Sequence, residues 1–264
     1  MDLHPNPLAS VSRMTSTFED LIEAGSTADV SGWDFSWLDG HATEERPSWG
    51  YARRLSERLG HASASLDIQT GGGEVLAESQ SFPATAVATE SWAPNLAKAT
   101  RLLHPRGVVV VSDPDEPPLP FSDEAFDLVT SRHPATIWWS EIARVLRHGG
   151  TYFAQHVGPR SAFGLIEFFL GPLPEAGHAR HPDLETAAAE AAGLEFVDLR
   201  AETLRIEIFD VAAVVYLLRK VIWWVPDFTV EKYLDRLREL HRIIEEDGAF
   251  VAHSTRHLIE ARRP

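Results

Sequence analysis

Three consecutive glycines, Gly71-Gly72-Gly73, follow the short apolar run Leu66-Asp67-Ile68-Gln69-Thr70. Glycine reaches φ > 0 without steric cost, so the chain can reverse tightly there and a ligand can press against bare backbone. The helix expected from Glu74 would turn its unpaired N–H groups and its positive dipole end back towards this turn. A polar or anionic cofactor group suits such a place. Glu90 closes a second run of small and β-branched residues, Ala84 to Thr89, roughly 20 residues beyond the turn. A carboxylate at that distance can accept hydrogen bonds from both hydroxyls of a ribose. Taken alone, Glu90 reads as a solvated residue opening a helix; the glycine turn upstream is what favours the ribose.

These residues need a sheet to hold them at one edge. Val108 to Val111 is an unbroken apolar run, as expected of a parallel strand buried on both faces. Phe126 to Ser131 and Thr151 to Gln155 read as further strands. Between the strands lie helical stretches at Glu74–Gln80, Ser91–Leu103 and Ile137–Leu146. Strands alternating with helices predict a parallel α/β sheet. Later segments are a short apolar helix at 163–170, an alanine-rich helix at 184–192, two strands at 194–197 and 204–208, an apolar stretch at 211–225, a long helix capped by Thr229, and a closing strand from Phe250 to Ala261. Before the sheet, Phe18, Leu21 and Ile22 share a helix face, and Gly25 is placed to end that helix. Pro47 opens another helix, with Trp49, Ala52, Leu55 and Leu59 on one side. Trp33, Trp37, Trp49 and Tyr51 either cap the core or roof a ligand pocket. One domain over 1–264 is the economical reading, with a helical cap at 1–62, a core at 63–264 and a helical lid at 210–248.

Composition narrows the chemistry. The 264 residues contain no cysteine, which removes disulfides, thiolate metal sites and cysteine nucleophiles. A net charge of −15 counts against docking on a phosphate backbone, so a small molecule is the expected partner. There is no apolar run of membrane-spanning length, and Met1-Asp2-Leu3-His4-Pro5 does not open a signal peptide, so a cytoplasmic location is expected. His178 and His181 lack carboxylate partners at helical spacing, and no metal is expected.

Four segments in order resemble the class I S-adenosylmethionine-dependent methyltransferases, in particular the type 11 domain. They are Leu66–Gly73, Glu90, Leu119-Pro120-Phe121 with Phe126-Asp127, and Glu141-Ile142-Ala143-Arg144-Val145-Leu146-Arg147-His148-Gly149-Gly150. The resemblance implies a Rossmann-like fold with a seven-stranded sheet in the order 3-2-1-4-5-7-6, the last strand antiparallel, and helices on both faces. It implies S-adenosylmethionine as cofactor. Asp67, Thr70, Gly71 and Gly73 would line its methionine end, and Glu90 with Ser91 its ribose. Asp113 or Asp115 would meet the adenine amino group, and Ser131 would pass beside the sulfonium. Gln69 stands where the family has a glycine, so its side chain would either crowd the cofactor or bind it. His148 replaces a proline in a turn.

Methyl transfer asks mainly for alignment and dryness, with a base only where the acceptor must lose a proton. His133 and His156, just past two strands, are the candidate bases; each reads equally as a structural residue. Arg132 binds an acidic acceptor or pairs with a surface carboxylate. The expected function is methylation of a small-molecule acceptor. The competing expectation is a binding protein of the same fold, its cofactor site weakened by Gln69.

Overall fold

The computed structural model describes residues 16–174 and 180–264; His178 and the first fifteen residues lie outside them. In chain order the elements are α1 (Phe18–Thr27), β1 (Ala42–Glu44), α2 (Tyr51–Leu59), β2 (Ala64–Ile68), α3 (Glu74–Ala77), β3 (Thr85–Glu90), α4 (Ala93–Leu103) and β4 (Val108–Ser112). There follow β5 (Phe126–Arg132), α5 (Trp139–Val145), β6 (Leu146–Val157), α6 (Phe163–Leu170), α7 (Pro182–Ala191), β7 (Glu195–Ile208), α8 (Val211–Lys220), α9 (Leu234–Asp247) and β8 (Phe250–Arg262). Among the described residues no helix is long and apolar enough to cross a membrane.

The sheet order is β1-β7-β8-β6-β5-β2-β3-β4. With β2 counted as the first strand, the seven strands from β4 to β7 follow the expected order 3-2-1-4-5-7-6. The short β1, antiparallel to the end of β7, makes an eighth strand that the sequence reading lacked. Strands β2 to β6 pair in parallel, and β8 runs antiparallel to β6.

The chain divides into two compact units. The larger comprises Arg46–Ser161, Glu175–Leu204 and Ser254–Pro264. Its strands send neighbouring residues to opposite faces. Leu66, Val129, Tyr152 and Ile259 pack with Trp139, Ile142 and Val145 of α5 on one side. Leu128, Phe153 and Leu258 pack with Leu55 and Leu59 of α2 and Ala99 and Leu103 of α4 on the other. The smaller unit, formed by the chain through Glu45 with Ala162–Pro174 and Arg205–His253, has its own core. There Val211, Val214, Val215 and Leu218 of α8 meet Leu237, Leu240 and Ile244 of α9.

Several local expectations are corrected. Gly25 does not end α1, which continues to Thr27. It is the point where α1 touches α8: a Cβ there would lie 2.5 Å from the Ala212 carbonyl oxygen. The run Val108–Val111 is not buried on both faces, because β4 is the sheet's edge; Val109 is 56% exposed. The two strands expected at 194–197 and 204–208 are one, β7. The helix expected from Thr229 begins at Leu234.

Candidate functional site at the strand ends

The glycine turn stands at the carboxyl end of β2, beside the ends of β3 and β5. Gly71 and Gly73 both take positive φ, 65° and 80°, but for different reasons. A Cβ on Gly71 would meet nothing within 4 Å, so its face is open to a ligand. A Cβ on Gly73 would strike Leu103 Cδ1 at 2.9 Å and Ala99 Cα at 3.2 Å, so this glycine serves the packing of the turn on α4. Thr70 hangs the turn on β3 by donating its amide to the Thr89 carbonyl at 2.9 Å. The Thr70 hydroxyl is buried with no hydrogen-bond partner among the described residues.

Glu90 ends β3 next to this turn. Its carboxylate accepts the Trp92 amide at 2.8 Å, and the amides of Gly71 and Ser91 also stabilise its charge. Burial nevertheless outweighs them and raises its pKa. Asp67, buried in β2, pairs in register with Thr130 of β5 and accepts its hydroxyl at 2.5 Å. Burial pushes the Asp67 carboxyl from 3.8 up to about 6. Ser131 is buried, and its hydroxyl also lacks a partner among the described residues. Asp113 folds back to accept the Asp115 amide at 2.8 Å with one oxygen, and its other oxygen is buried and unpartnered among the described residues.

Gln69 has φ 57°, the left-handed region that glycine favours. Its side chain is a strut. Nε2 donates to Asp115 Oδ1 at 2.6 Å and to the Thr136 carbonyl at 2.8 Å, and Oε1 accepts the Ala135 amide at 2.6 Å. The amide therefore ties the glycine turn to Asp115 and to the loop after β5. Both of its N–H donors are spent on the protein.

The two candidate histidines are held differently. His133 is half-buried after β5, with φ 56°. Its Nε2 accepts from Gln155 Nε2 at 2.9 Å, while Gln155 Oε1 accepts Trp49 Nε1 at 2.8 Å. Burial and the neighbouring Arg132 hold its pKa well below the ordinary value, so the ring is neutral. The sequence reading puts His156 just past a strand, at the open edge. It instead lies inside β6, fully buried and opposite His257 of β8. Its Nε2 lies 2.9 Å from the Tyr152 hydroxyl and its Nδ1 3.0 Å from Glu185 Oε1. Burial lowers the His156 pKa, and the two histidines beside Glu185 hold that carboxyl ionised, well below its ordinary value. Both His156 nitrogens are thus engaged inside the core.

The aromatic residues divide between the units. Trp49 and Tyr51 are core residues of the larger one, yet both touch the site's edge, Trp49 through Gln155 and Tyr51 by donating to the Ser131 carbonyl at 3.2 Å. Trp33 and Trp37 belong to the smaller unit. Trp33 packs on Trp223 at 5.6 Å, and Trp37 stacks on His41 and Tyr216 at 4.5 and 4.7 Å. Arg132 is exposed. Sequence reasoning missed Thr130 and Gln155, which reach the site only through strand register. The Glu141–Arg144 pair, 2.6 Å apart, explains why two of the sequence segments occur together. Glu141 accepts the Leu119 amide at 2.7 Å, and Arg144 donates to the carbonyls of Phe121 at 2.7 Å and Leu119 at 3.0 Å.

Residues 66–154, which contain the turn, Glu90, Asp113, Ser131 and this pair, match a family model described as a methyltransferase domain. Over these residues the chain carries a methyltransferase domain. Solved structures agree on the fold. A candidate methyltransferase from Bacillus halodurans is 20% identical, with a TM-score of 0.57 over 81% of this chain and 98% of that one. The YcgJ protein of Bacillus subtilis is 17% identical, with a TM-score of 0.55 over 80% and 98%. The [4+2]-cyclase SpnF is 16% identical, with a TM-score of 0.51 over 97% and 95%. No curated protein sequence matches the chain.

Proposed function

We propose that this chain binds S-adenosylmethionine across the carboxyl ends of β2, β3 and β5 and methylates a small-molecule acceptor there. The observation that carries this reading is the meeting of two features: an open-faced glycine, Gly71, and the Glu90 carboxylate anchored beside its amide. The residues present fit the cofactor. Glu90 is placed to accept from the ribose hydroxyls, and the bare face of Gly71 permits close approach. The unpartnered hydroxyls of Thr70 and Ser131 and the unpartnered oxygen of Asp113 are buried polar groups that a polar ligand would satisfy. Asp113 or Asp115 takes the adenine amino group. The cofactor, when bound, supplies a methyl group already activated by a positively charged sulfur.

The protein's own part is alignment and exclusion of water. Tyr51, Trp49 and Gln155 fix the ends of β5 and β6 from beneath. His133 is neutral and bonded to Gln155, which suits a positioning role at the rim. The net charge of −15 favours a small acceptor over a nucleic acid.

Calorimetric titration with S-adenosylhomocysteine tests the reading. Micromolar binding that weakens in Glu90→Ala is expected, and absence of binding would refute it. A second reading, a binding protein of the same fold, is favoured by the Gln69 strut, which occupies the place of a motif glycine. Cofactor binding without methyl transfer to any of a panel of small acceptors would support that second reading.

A further inference from the structure

A cavity of about 240 Å³ lies within the larger unit, beside the loop that the Gln69 strut holds. Its apolar lining includes Ile137, Trp139, Leu184 and Ala188, and its charged lining is Arg180 and Glu185. Thr136 and Ile137 also line a smaller cavity of about 10 Å³ that reaches Ser131 and Ile68, at the ends of β5 and β2. The two spaces share Thr136 and Ile137 in their walls, and Ser131, at the edge proposed for the cofactor, lines the second.

Arg180 is half-engaged. Its Nη2 donates to the carbonyls of Pro134 at 2.9 Å and Ala135 at 2.7 Å, which fixes the plane of the guanidinium. Its Nη1 is buried and has no hydrogen-bond partner among the described residues. A buried charged donor left unpaired is costly, and a guanidinium is shaped to receive a carboxylate. Glu185 does not fill that role. One of its oxygens lies 3.0 Å from His156 and the other 3.4 Å from His257.

We propose that this cavity seats the carboxylate end of the methyl acceptor on Arg180 Nη1, with the acceptor's apolar body against Ile137, Trp139, Leu184 and Ala188. The proposal deepens the methyl-transfer reading and rests on it for the word acceptor. The volume is below the roughly 300–1,000 Å³ of drug-sized pockets, which limits the ligand to about one ring. A compact apolar carboxylic acid is the class that fits.

Benzoate and its neutral counterpart benzamide are the probes, titrated calorimetrically into the full chain with and without S-adenosylhomocysteine. Benzoate should bind about tenfold or more tightly than benzamide, the usual worth of a hydrogen bond to a charged group. Arg180→Gln should erase that preference and Arg180→Lys should keep part of it. Leu184→Trp, which adds bulk at the exposed rim of the cavity, should weaken benzoate and serves if Arg180→Gln does not fold. Equal binding of the two probes, a preference surviving in Arg180→Gln, or benzoate unaffected by Leu184→Trp would overturn the proposal. Binding of S-adenosylhomocysteine without benzoate binding removes the pocket and leaves the methyltransferase reading intact. Benzoate binding through Arg180 without S-adenosylhomocysteine binding removes methyl transfer and leaves a carboxylate site.

Discussion

Replacing Gln69 with glycine separates two effects that the native residue combines. The backbone at φ 57° costs a residue with a Cβ about 1–2 kcal/mol, which glycine would recover. Against this, three hydrogen bonds are lost, at 2.6, 2.8 and 2.6 Å, one of them to the Asp115 carboxylate. At about 1 kcal/mol for a neutral bond and about 1.5–3 kcal/mol for a charged one, their gross worth is roughly 3.5–5 kcal/mol. The strut is partly exposed, so water replaces much of it and the net loss is nearer ~2 kcal/mol. Gln69→Gly should therefore be about 1 kcal/mol less stable than the native chain, taking the smaller strain figure. Gln69→Ala, which loses the bonds and keeps the strain, should be about 1 kcal/mol worse again, or roughly 2–4 °C in Tm. Cofactor affinity should move the other way. On the crowding reading a ligand entering over the turn displaces the strut in the native chain but not in Gln69→Gly, so S-adenosylhomocysteine should bind roughly 5- to 30-fold more tightly to the variant. Thermal unfolding and calorimetry on the three proteins give both numbers. Unchanged or weaker affinity in Gln69→Gly would refute crowding and make the strut a support that holds Asp115 and the 135–136 loop for the cofactor.

Glu90→Ala should weaken S-adenosylhomocysteine binding by about 10- to 100-fold, the worth of hydrogen bonds to a charged group, and calorimetry showing equal affinity would remove the ribose assignment. Asp67 makes stability fall as pH rises. Its folded pKa of about 6 lies above the ordinary 3.8, so the folded state holds the proton longer, and the chain should lose about 3 kcal/mol as pH rises from roughly 4 to 6. Asp67→Asn should flatten denaturant-measured stability across that window; an unchanged slope would assign the pH dependence elsewhere. Gly25→Ala should cost about 1–3 kcal/mol, since its Cβ would lie 2.5 Å from the Ala212 carbonyl oxygen, and unaltered Tm would show that α1 and α8 can separate freely.

Much of the sheet was legible because its determinants are local. A buried strand must be apolar, a tight turn at φ > 0 wants glycine, and a right-handed crossover needs a helix between parallel strands. These rules placed β2, β3, β5 and β6, the open turn at Gly71, and Glu90 at the end of β3. They also exposed Gln69 as a residue out of keeping with its backbone. Burial was less legible. The valines of β4 carry the pattern of a central strand, but their exposure depends on which strand lies last in the sheet, and no residue within the run encodes that. Gly25 resembled a helix terminator because its neighbour, Ala212, is distant in sequence.

The site divides along the same line. The sequence alone offered a glycine turn and an acid at ribose distance, and the resemblance of four segments to a methyltransferase family implied the class of chemistry. Only the tertiary structure decided which side chains are free to act. Strand pairing sets Asp67 against Thr130 and removes His156 into the core against His257 and Glu185, while Gln155 links His133 to Trp49. It also leaves one arm of Arg180 without a partner among the described residues, beside a cavity. Each of these outcomes is a contact between residues far apart in the chain, fixed by register and by the scarcity of water around buried charge, and neither is written in a residue's own identity or in its near neighbours.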